Sequence, residues 1–399
     1  MSRPIVIVVG TRAEAIKLIP LYLSLKKQNF FVLLCATFQH SEMLNQVFKI
    51  FNVTPDFDLN VMKKDQDLFY LNSVILEKTK EVYLKTDPSL VLVHGDTTTT
   101  MAAAMSAFYL HIPVGHVEAG LRTGNINSPF PEEMNRKIVG QIATYHFAPT
   151  AFSVANLLSE GINRENVFCT GNTIVDSLNL IKNEIKNNKI EIDKNIFEKV
   201  QQCKQKKQKI ILLTAHRRES FNGGLLRIFK TIKKFALLHE DVLFLYPVHP
   251  NPNVLKAVDE SGIKNIKNIY SCSALCYKDL IYVLMNSDFV ATDSGGIQEE
   301  AVSLGKPVLA LRDITERWEG VWQGCEKLVG TNEKFIWQGL NEFYKSNRKY
   351  LPSNIYGDGQ TCSKIVAILK NKLKLNSEIN FKKSKRNKID DNKTMRMSL

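Results

Sequence analysis

Short apolar runs that end abruptly in glycine or charge, each followed by an amphipathic stretch, recur along this chain and limit what it can become. PIVIVVGTRAEAIKLIPLYLSLKK opens with a strand, turns at Gly10 and enters a helix whose Ile16, Ile19 and Leu23 fall at helical spacing. Pro20 lies inside that pattern and predicts a kink or a break. FFVLLCAT with FQHSEMLNQVFKIF repeats the scheme, as do DPSLVLVHGDTTTTMAAAMSAFYL and VFCTGNTIVDSL, for six or seven units up to about residue 178. Apolar strands alternating with helices build a parallel sheet covered on both faces, so the expected class is α/β with a doubly wound domain. A lysine-rich segment over 179–208 is low in apolar residues, and a second series follows it: KIILLTAHRRES, VLFLYPVHPNPNV, DFVATDSGGIQEEA and KPVLALRDITERWEG. The expected division is 1–178 and 179–354 for two such domains. Residues 355–375 would form a helix returning to the first domain, and 376–399 a basic, disordered tail.

Composition narrows the class of function. At 399 residues and 44% hydrophobic content, two domains can each bury a core. The apolar run at 5–9 is too short for a signal peptide and none approaches a membrane span, so a soluble, cytoplasmic protein is expected. Seven scattered cysteines fit a reducing compartment; Cys272 and Cys276 lack a second ligand pair at zinc spacing, so no metal is expected. The net charge of +13 gathers in lysine-rich patches at 182–209 and in the tail, with no nucleic-acid-binding motif beside them. Solvated helix faces explain it, and neither nucleic acid nor membrane is an expected partner.

The stretch HVEAGLRTGNINSPFPEEMNR, His116 to Arg136, concentrates the chemistry. It carries Glu118, Glu132, Glu133, Arg122 and Arg136 just past a buried strand, where open α/β sheets place their sites. PEEMNR reads as a helix start with Pro131 at a first-turn position and acids beside the positive helix end. Its alternative is a loop with surface ion pairs. The Gly10 join offers free backbone N–H groups to an anion, with Arg12 and Lys17 adding cations; it is neither a nucleoside-triphosphate loop nor a dinucleotide fingerprint. Asp96 follows Gly95 at a strand end and could be either a site acid or an N-cap, and Thr97 to Thr100 offer hydroxyls.

In the second series, His216, Arg217, Arg218 and Glu219 follow one strand, and His249 and Asn251 the next. Ser294, Gly295 and Gly296 precede a helix carrying Glu299 and Glu300. Two glycines let a backbone approach a ligand, a helix N-terminus attracts phosphate, and a Glu in the first turn or so can take both hydroxyls of a ribose. Two domains with charged strand ends imply a ligand cleft between them.

GTRAEAIKLIP, HGDTTTT, HVEAGLRT, SPFPEEMNR, YHFAPT, TAHRRES, TDSGGIQEEA, GKPVLALRDITER and YGDG, in this order over roughly residues 4–370, resemble the bacterial non-hydrolysing UDP-N-acetylglucosamine 2-epimerases. The resemblance implies two Rossmann-like domains facing a cleft, as in glycosyltransferase-B folds. It implies reversible epimerisation at C2 of UDP-N-acetylglucosamine to the manno sugar through elimination and re-addition of UDP, for surface polysaccharide, in a homodimer without cofactor. By resemblance Asp96, Glu118, Glu132 and His216 carry acid–base work. Arg12, Lys17, Arg136, Arg217, His249, Ser294, Gly295, Gly296, Glu300 and Arg317 bind UDP-sugar, and Gln39, His40 and Gln66 match an allosteric subsite. Ala13, Ser220 and Trp318 depart from the family beside the motifs, and Ser41 and Asp65 replace basic residues of the subsite. Weakened substrate activation is therefore expected. Other readings are an epimerase of a UDP-diacetamido-glucuronate, a hydrolysing 2-epimerase, a glycosyltransferase of the same fold, and a non-catalytic binder, which would have lost the acids.

Overall fold

The computed structural model describes residues 3–38, 41–63, 66–346 and 348–373. The expected subsite residues Gln39 and His40, as well as Asp65 and the tail over 376–399, lie outside these ranges.

The first sheet comprises β1 (Ile5–Val9), β2 (Val32–Ala36), β3 (Phe57–Asp58), β4 (Leu90–His94), β5 (Val114–Val117), β6 (Tyr145–Ala148) and β7 (Val167–Cys169). Its order is β3-β2-β1-β4-β5-β6-β7, all parallel. Its helices are α1 (Arg12–Lys27), α2 (Ser41–Ile50), α3 (Leu68–Thr86), α4 (Thr98–Tyr109), α5 (Glu132–Ile142), α6 (Ala151–Ser159) and α7 (Thr173–Lys186). After α8 (Lys194–Gln205) the second sheet runs through β8 (Lys209–Thr214), β9 (Val242–Val248), β10 (Ile269–Ser273), β11 (Phe289–Thr292), β12 (Val308–Ala310) and β13 (Glu326–Leu328). Its order is β10-β9-β8-β11-β12-β13, again parallel. Around it lie α9 (Gly224–Leu238), α10 (Pro252–Ser261), α11 (Tyr277–Asn286), α12 (Gly295–Ser303), α13 (Trp318–Trp322) and α14 (Glu333–Lys345).

Each order reverses once, between β1 and β4 and between β8 and β11, and such a reversal leaves a crevice beyond the strands' carboxyl ends. The alternation of strand side chains feeds separate cores. Ile5, Ile7 and Val9 face one cluster, while Val6 and Val8 face another. The first of these clusters continues through Ile174 and Leu178 to Leu212 and Val290 of the second sheet, so the two domains share apolar packing. The division expected at 178/179 falls inside α7, whose buried Ile174, Val175, Leu178 and Ile181 run unbroken across it. A helix over 361–373 caps its N-terminus on Asp176 of α7, which accepts the backbone N–H of Thr361 at 3.2 Å and of Cys362 at 2.9 Å. Lys372 at its far end donates to the Glu165 carbonyl.

α1 is not broken at Pro20. The ring removes the N–H that would bind the Ile16 carbonyl, and the Ser177 hydroxyl of α7 donates to that carbonyl instead. No described helix is long and apolar enough to cross a membrane.

Candidate functional site

β1 delivers the chain to Gly10, where a Cβ would sit 2.1 Å from the Thr99 hydroxyl. The backbone N–H groups expected to be free for an anion here are taken. Gly10 N and Thr11 N donate to Glu14 Oε2 at 3.0 and 2.7 Å, as part of the capping box that starts α1. Thr97 and Thr100 donate to the other oxygen of Glu14 at 2.8 and 3.0 Å. Burial pushes the Glu14 pKa up. Thr97, not Asp96, is the N-cap of α4. That leaves the Asp96 carboxylate to Arg136, at 2.6 Å.

Glu118 stands just past β5 in the left-handed region, at φ 64°. A non-glycine residue there carries backbone strain of about 1–3 kcal/mol, which the surroundings must hold. They do. Lys17 Nζ pairs with Glu118 and lies 3.4 Å from Glu299 of α12. The Asn172 amide donates to Glu118 at 2.6 Å and to Glu299 at 3.0 Å, while its own oxygen accepts from Ile174 N at 3.1 Å. His94 Nε2 is 3.6 Å from Glu118. Burial pushes the Glu118 pKa up, but Lys17 and His94, with Arg317, outweigh it and hold the carboxyl well below the usual range. Glu299 goes the other way: burial raises its pKa despite Arg317 and Lys17.

The chain of charges continues across the domains. Arg317 Nε binds Glu299 at 2.9 Å, and its Nη1 pairs with Glu316. Arg312 reaches Glu316 at 2.9 Å, and Arg136 reaches it at 3.5 Å. Arg136 also binds Glu133 at 2.9 Å, one turn along α5. Burial alone would raise the Glu316 pKa, yet Arg312, Arg317, Arg136 and Arg217 hold it well below the usual range. Glu132 opens α5, with Pro131 at the N-cap rather than inside the first turn. Burial, then the Asp96 charge, push the Glu132 pKa up. Its Oε2 is buried without a hydrogen-bond partner.

From the second sheet, Asp293 accepts the backbone N–H of His216 at 2.5 Å and of Arg217 at 2.7 Å. The His216 and His249 rings stack with centroids 5.0 Å apart. Ser294 caps α12 without a side-chain hydrogen bond. A Cβ on Gly295 would lie 2.3 Å from Arg317 Nη1, whereas one on Gly296 would meet nothing within 4 Å. Glu300 lies in the second turn of α12, not the first, buried near Lys17 and Arg12, and burial pushes its pKa up to about 7. Beside Arg12 a cleft of about 890 Å³ opens between the domains, lined by Met43 and Gln46 on one side and Tyr270 and Ser273 on the other.

Of the expected residues, Lys17, Asp96, Glu118, Arg136 and Arg317 thus share one connected network. Glu132 and Arg217 act on it through their charges. Gln66 accepts from the Lys63 backbone at 3.1 Å, within its own loop. Asn172, Asp293, Arg312 and Glu316 are not among the residues expected from the sequence, and Glu133 and Glu299 had no part assigned. Asp293, Glu133, Glu299, Arg312 and Glu316 did carry a signal, as charges after a strand or at a helix start within the quoted motifs; Asn172 carried none. His116, from the central stretch, is structural: its Nε2 lies 2.8 Å from the Gly95 carbonyl, and burial pushes its pKa down to about 3. Among the described residues no group of three or more His, Cys, Asp and Glu could hold a metal ion.

A family model described as UDP-N-acetylglucosamine 2-epimerase matches residues 24–370. A UDP-N-acetylglucosamine 2-epimerase of Campylobacter jejuni is 46% identical over 383 residues, covering 92% of this chain and 98% of the relative. The crystal structure of UDP-GlcNAc 2-epimerase from Neisseria meningitidis bound to UDP-GlcNAc superimposes with a TM-score of 0.86 at 40% identity, over 92% of this chain and 100% of that one. The Staphylococcus aureus MnaA–UDP co-structure gives 0.85 at 39% identity, over 94% and 98%.

Proposed function

The chain belongs to the UDP-N-acetylglucosamine 2-epimerase family, and on that premise we propose that it interconverts UDP-N-acetylglucosamine and UDP-N-acetylmannosamine without net hydrolysis. The C2 proton is removed as UDP leaves C1, giving a 2-acetamidoglucal. UDP then re-adds at C1 while a proton reaches the other face of C2. The observation that carries this reading is one cluster of charges that pushes two of its carboxyl groups in opposite directions. Glu118 is kept ionised by Lys17 and His94 against its burial, while Glu132 is pushed towards its protonated form by burial and Asp96. Two carboxyl groups whose surroundings push their pKa values apart are the pattern of an acid–base pair, which a two-face exchange requires. Asp96 and His216 belong to the same acid–base set, whose members titrate together. Arg12, Arg136, Arg217 and Arg317, with the α12 N-terminus at Ser294, Gly295 and Gly296, hold the diphosphate; Glu300 takes the ribose and His249 lies against the nucleotide.

The enzyme acts in the cytoplasm as a homodimer in this reading, and α3 and α4 leave Phe69, Leu84, Phe108 and Tyr109 exposed. Proton NMR with UDP-N-acetylglucosamine in heavy water tests the chemistry. The expected product is the manno epimer, deuterated at C2 and still attached to UDP. Free N-acetylmannosamine with UDP would establish a hydrolysing enzyme instead, and an unchanged spectrum would exclude this substrate.

A further inference from the structure

Asp293 directly follows β11, at the start of the DSGG turn, and is wholly buried. One of its oxygens, Oδ2, is committed to the backbone N–H groups of His216 and Arg217. Those two contacts set the plane of the carboxylate, and they direct Oδ1 at the imidazole of His216, 3.4 Å from Nδ1. Oδ1 has no hydrogen-bond partner. A buried carboxylate oxygen without a donor is costly, and contacts of this kind shorten when a site engages its substrate. The His216 side chain is about one-third exposed, although Asp293 is not exposed at all. His249 stacks on the ring at an interplanar angle of 13°. Its own Nδ1 accepts from Asn251 N at 3.2 Å.

We infer that Asp293 is the positioning residue for His216, selecting the tautomer protonated at Nδ1 so that Nε2 faces the cleft as the atom that takes and returns the proton. The inference rests on the reading of His216 as a member of the acid–base set, and it adds to that reading how the imidazole is prepared. The carboxylate fixes a tautomer and does not itself exchange a proton.

Asp293→Asn tests it with little change of shape. The amide oxygen must replace Oδ2 to keep the two backbone N–H bonds, which turns the amide NH2 towards Nδ1 and forces the proton onto Nε2. Long-range proton–nitrogen spectra of the full-length enzyme, with the His216 signals assigned by their loss in His216→Gln, read the tautomer directly. The expected result is Nδ1–H in the native enzyme and Nε2–H in D293N, with kcat lower by about 10²–10⁴-fold and KM within about threefold. An Nε2–H tautomer in the native enzyme would overturn the inference, and that measurement needs no variant to fold. Native turnover in D293N would overturn it as well. Native turnover in H216Q would instead remove His216 from the acid–base set, while the tautomer would still decide what Asp293 does.

Discussion

Replacing Lys17 by methionine should destabilise the protein strongly at alkaline pH and much less in acid. In the native protein Lys17 is the cation between Glu118 and Glu299, and all three side chains are nearly inaccessible. At an effective permittivity of about 20, two unit charges at the 3.4 Å separating Lys17 from Glu299 attract by about 5 kcal/mol. Methionine keeps the volume and removes the charge. Glu299 then retains Arg317 at 2.9 Å, whereas Glu118 is left with the neutral Asn172 amide as its shortest contact. Stranding a buried charge in this way costs about 3–5 kcal/mol. At roughly 2–4 °C per kcal/mol for domains of this size, the melting temperature should fall by about 10 °C.

The pH dependence follows from the signs. Glu118 has a folded pKa below its ordinary value, so in the native protein it contributes stability above about pH 4.3 that is lost as the pH falls through the folded value. Without Lys17, burial dominates and lifts the folded value above the ordinary one. Stability is then fully present only below about pH 4.3 and is lost as the pH rises. Melting curves of native and Lys17→Met protein at pH 8 and pH 5 check this: the gap should be wide at pH 8 and narrow at pH 5. A gap equal at both values would refute the electrostatic reasoning, and no gap at all would refute the burial of the pair.

Other consequences are as direct. Ser177→Ala should cost about 1–3 kcal/mol, because it strands the Ile16 carbonyl that Pro20 leaves without a helical partner; Pro20→Ala in the same chain restores the amide and should recover part of the loss, which a double-mutant cycle of melting temperatures would measure. Glu300, with a folded value of about 7 set by burial, contributes stability below about pH 4.3 that disappears as the pH rises through 7. Glu300→Gln should therefore flatten the decline in melting temperature between pH 5 and pH 8, and an unchanged slope would count against the buried carboxyl. Gly295→Ala should lose about 1–3 kcal/mol by driving a methyl into Arg317, whereas Gly296→Ala has room and should be neutral or slightly stabilising. If Gly296 lines the diphosphate path, calorimetric titration should still find its alanine variant weaker for UDP; native affinity would move the phosphates elsewhere.

Elements and candidate acids were legible because both depend on local pattern. IVIVV and KIILLT are continuous apolar runs that only a sheet covered on both faces can bury, and each stops where charge begins. Gly295 and Gly296 announced a close approach, and Asp96, Glu118 and Arg136 were found from their places after strands. What the charges do for one another was not legible. Glu14, to which the sequence assigned nothing, occupies the N–H groups expected to be free at the Gly10 turn. Asn172 looked like part of a turn, yet its amide joins Glu118 to Glu299, 127 positions further along the chain from itself.

The chain's own pattern therefore determined a two-domain α/β protein with acids, cations and a glycine turn at its strand ends, since periodicity and backbone preference act over a few residues. Tertiary structure alone decided in which direction the pKa of each of these buried acids moves. Burial by itself pushes the Glu118, Glu132, Glu300 and Glu316 carboxyls up alike; Lys17 and His94, with Arg317 from the other domain, reverse that for Glu118, and Arg312 and Arg317, with Arg136 from the other domain, reverse it for Glu316, whereas Glu132 and Glu300 stay raised.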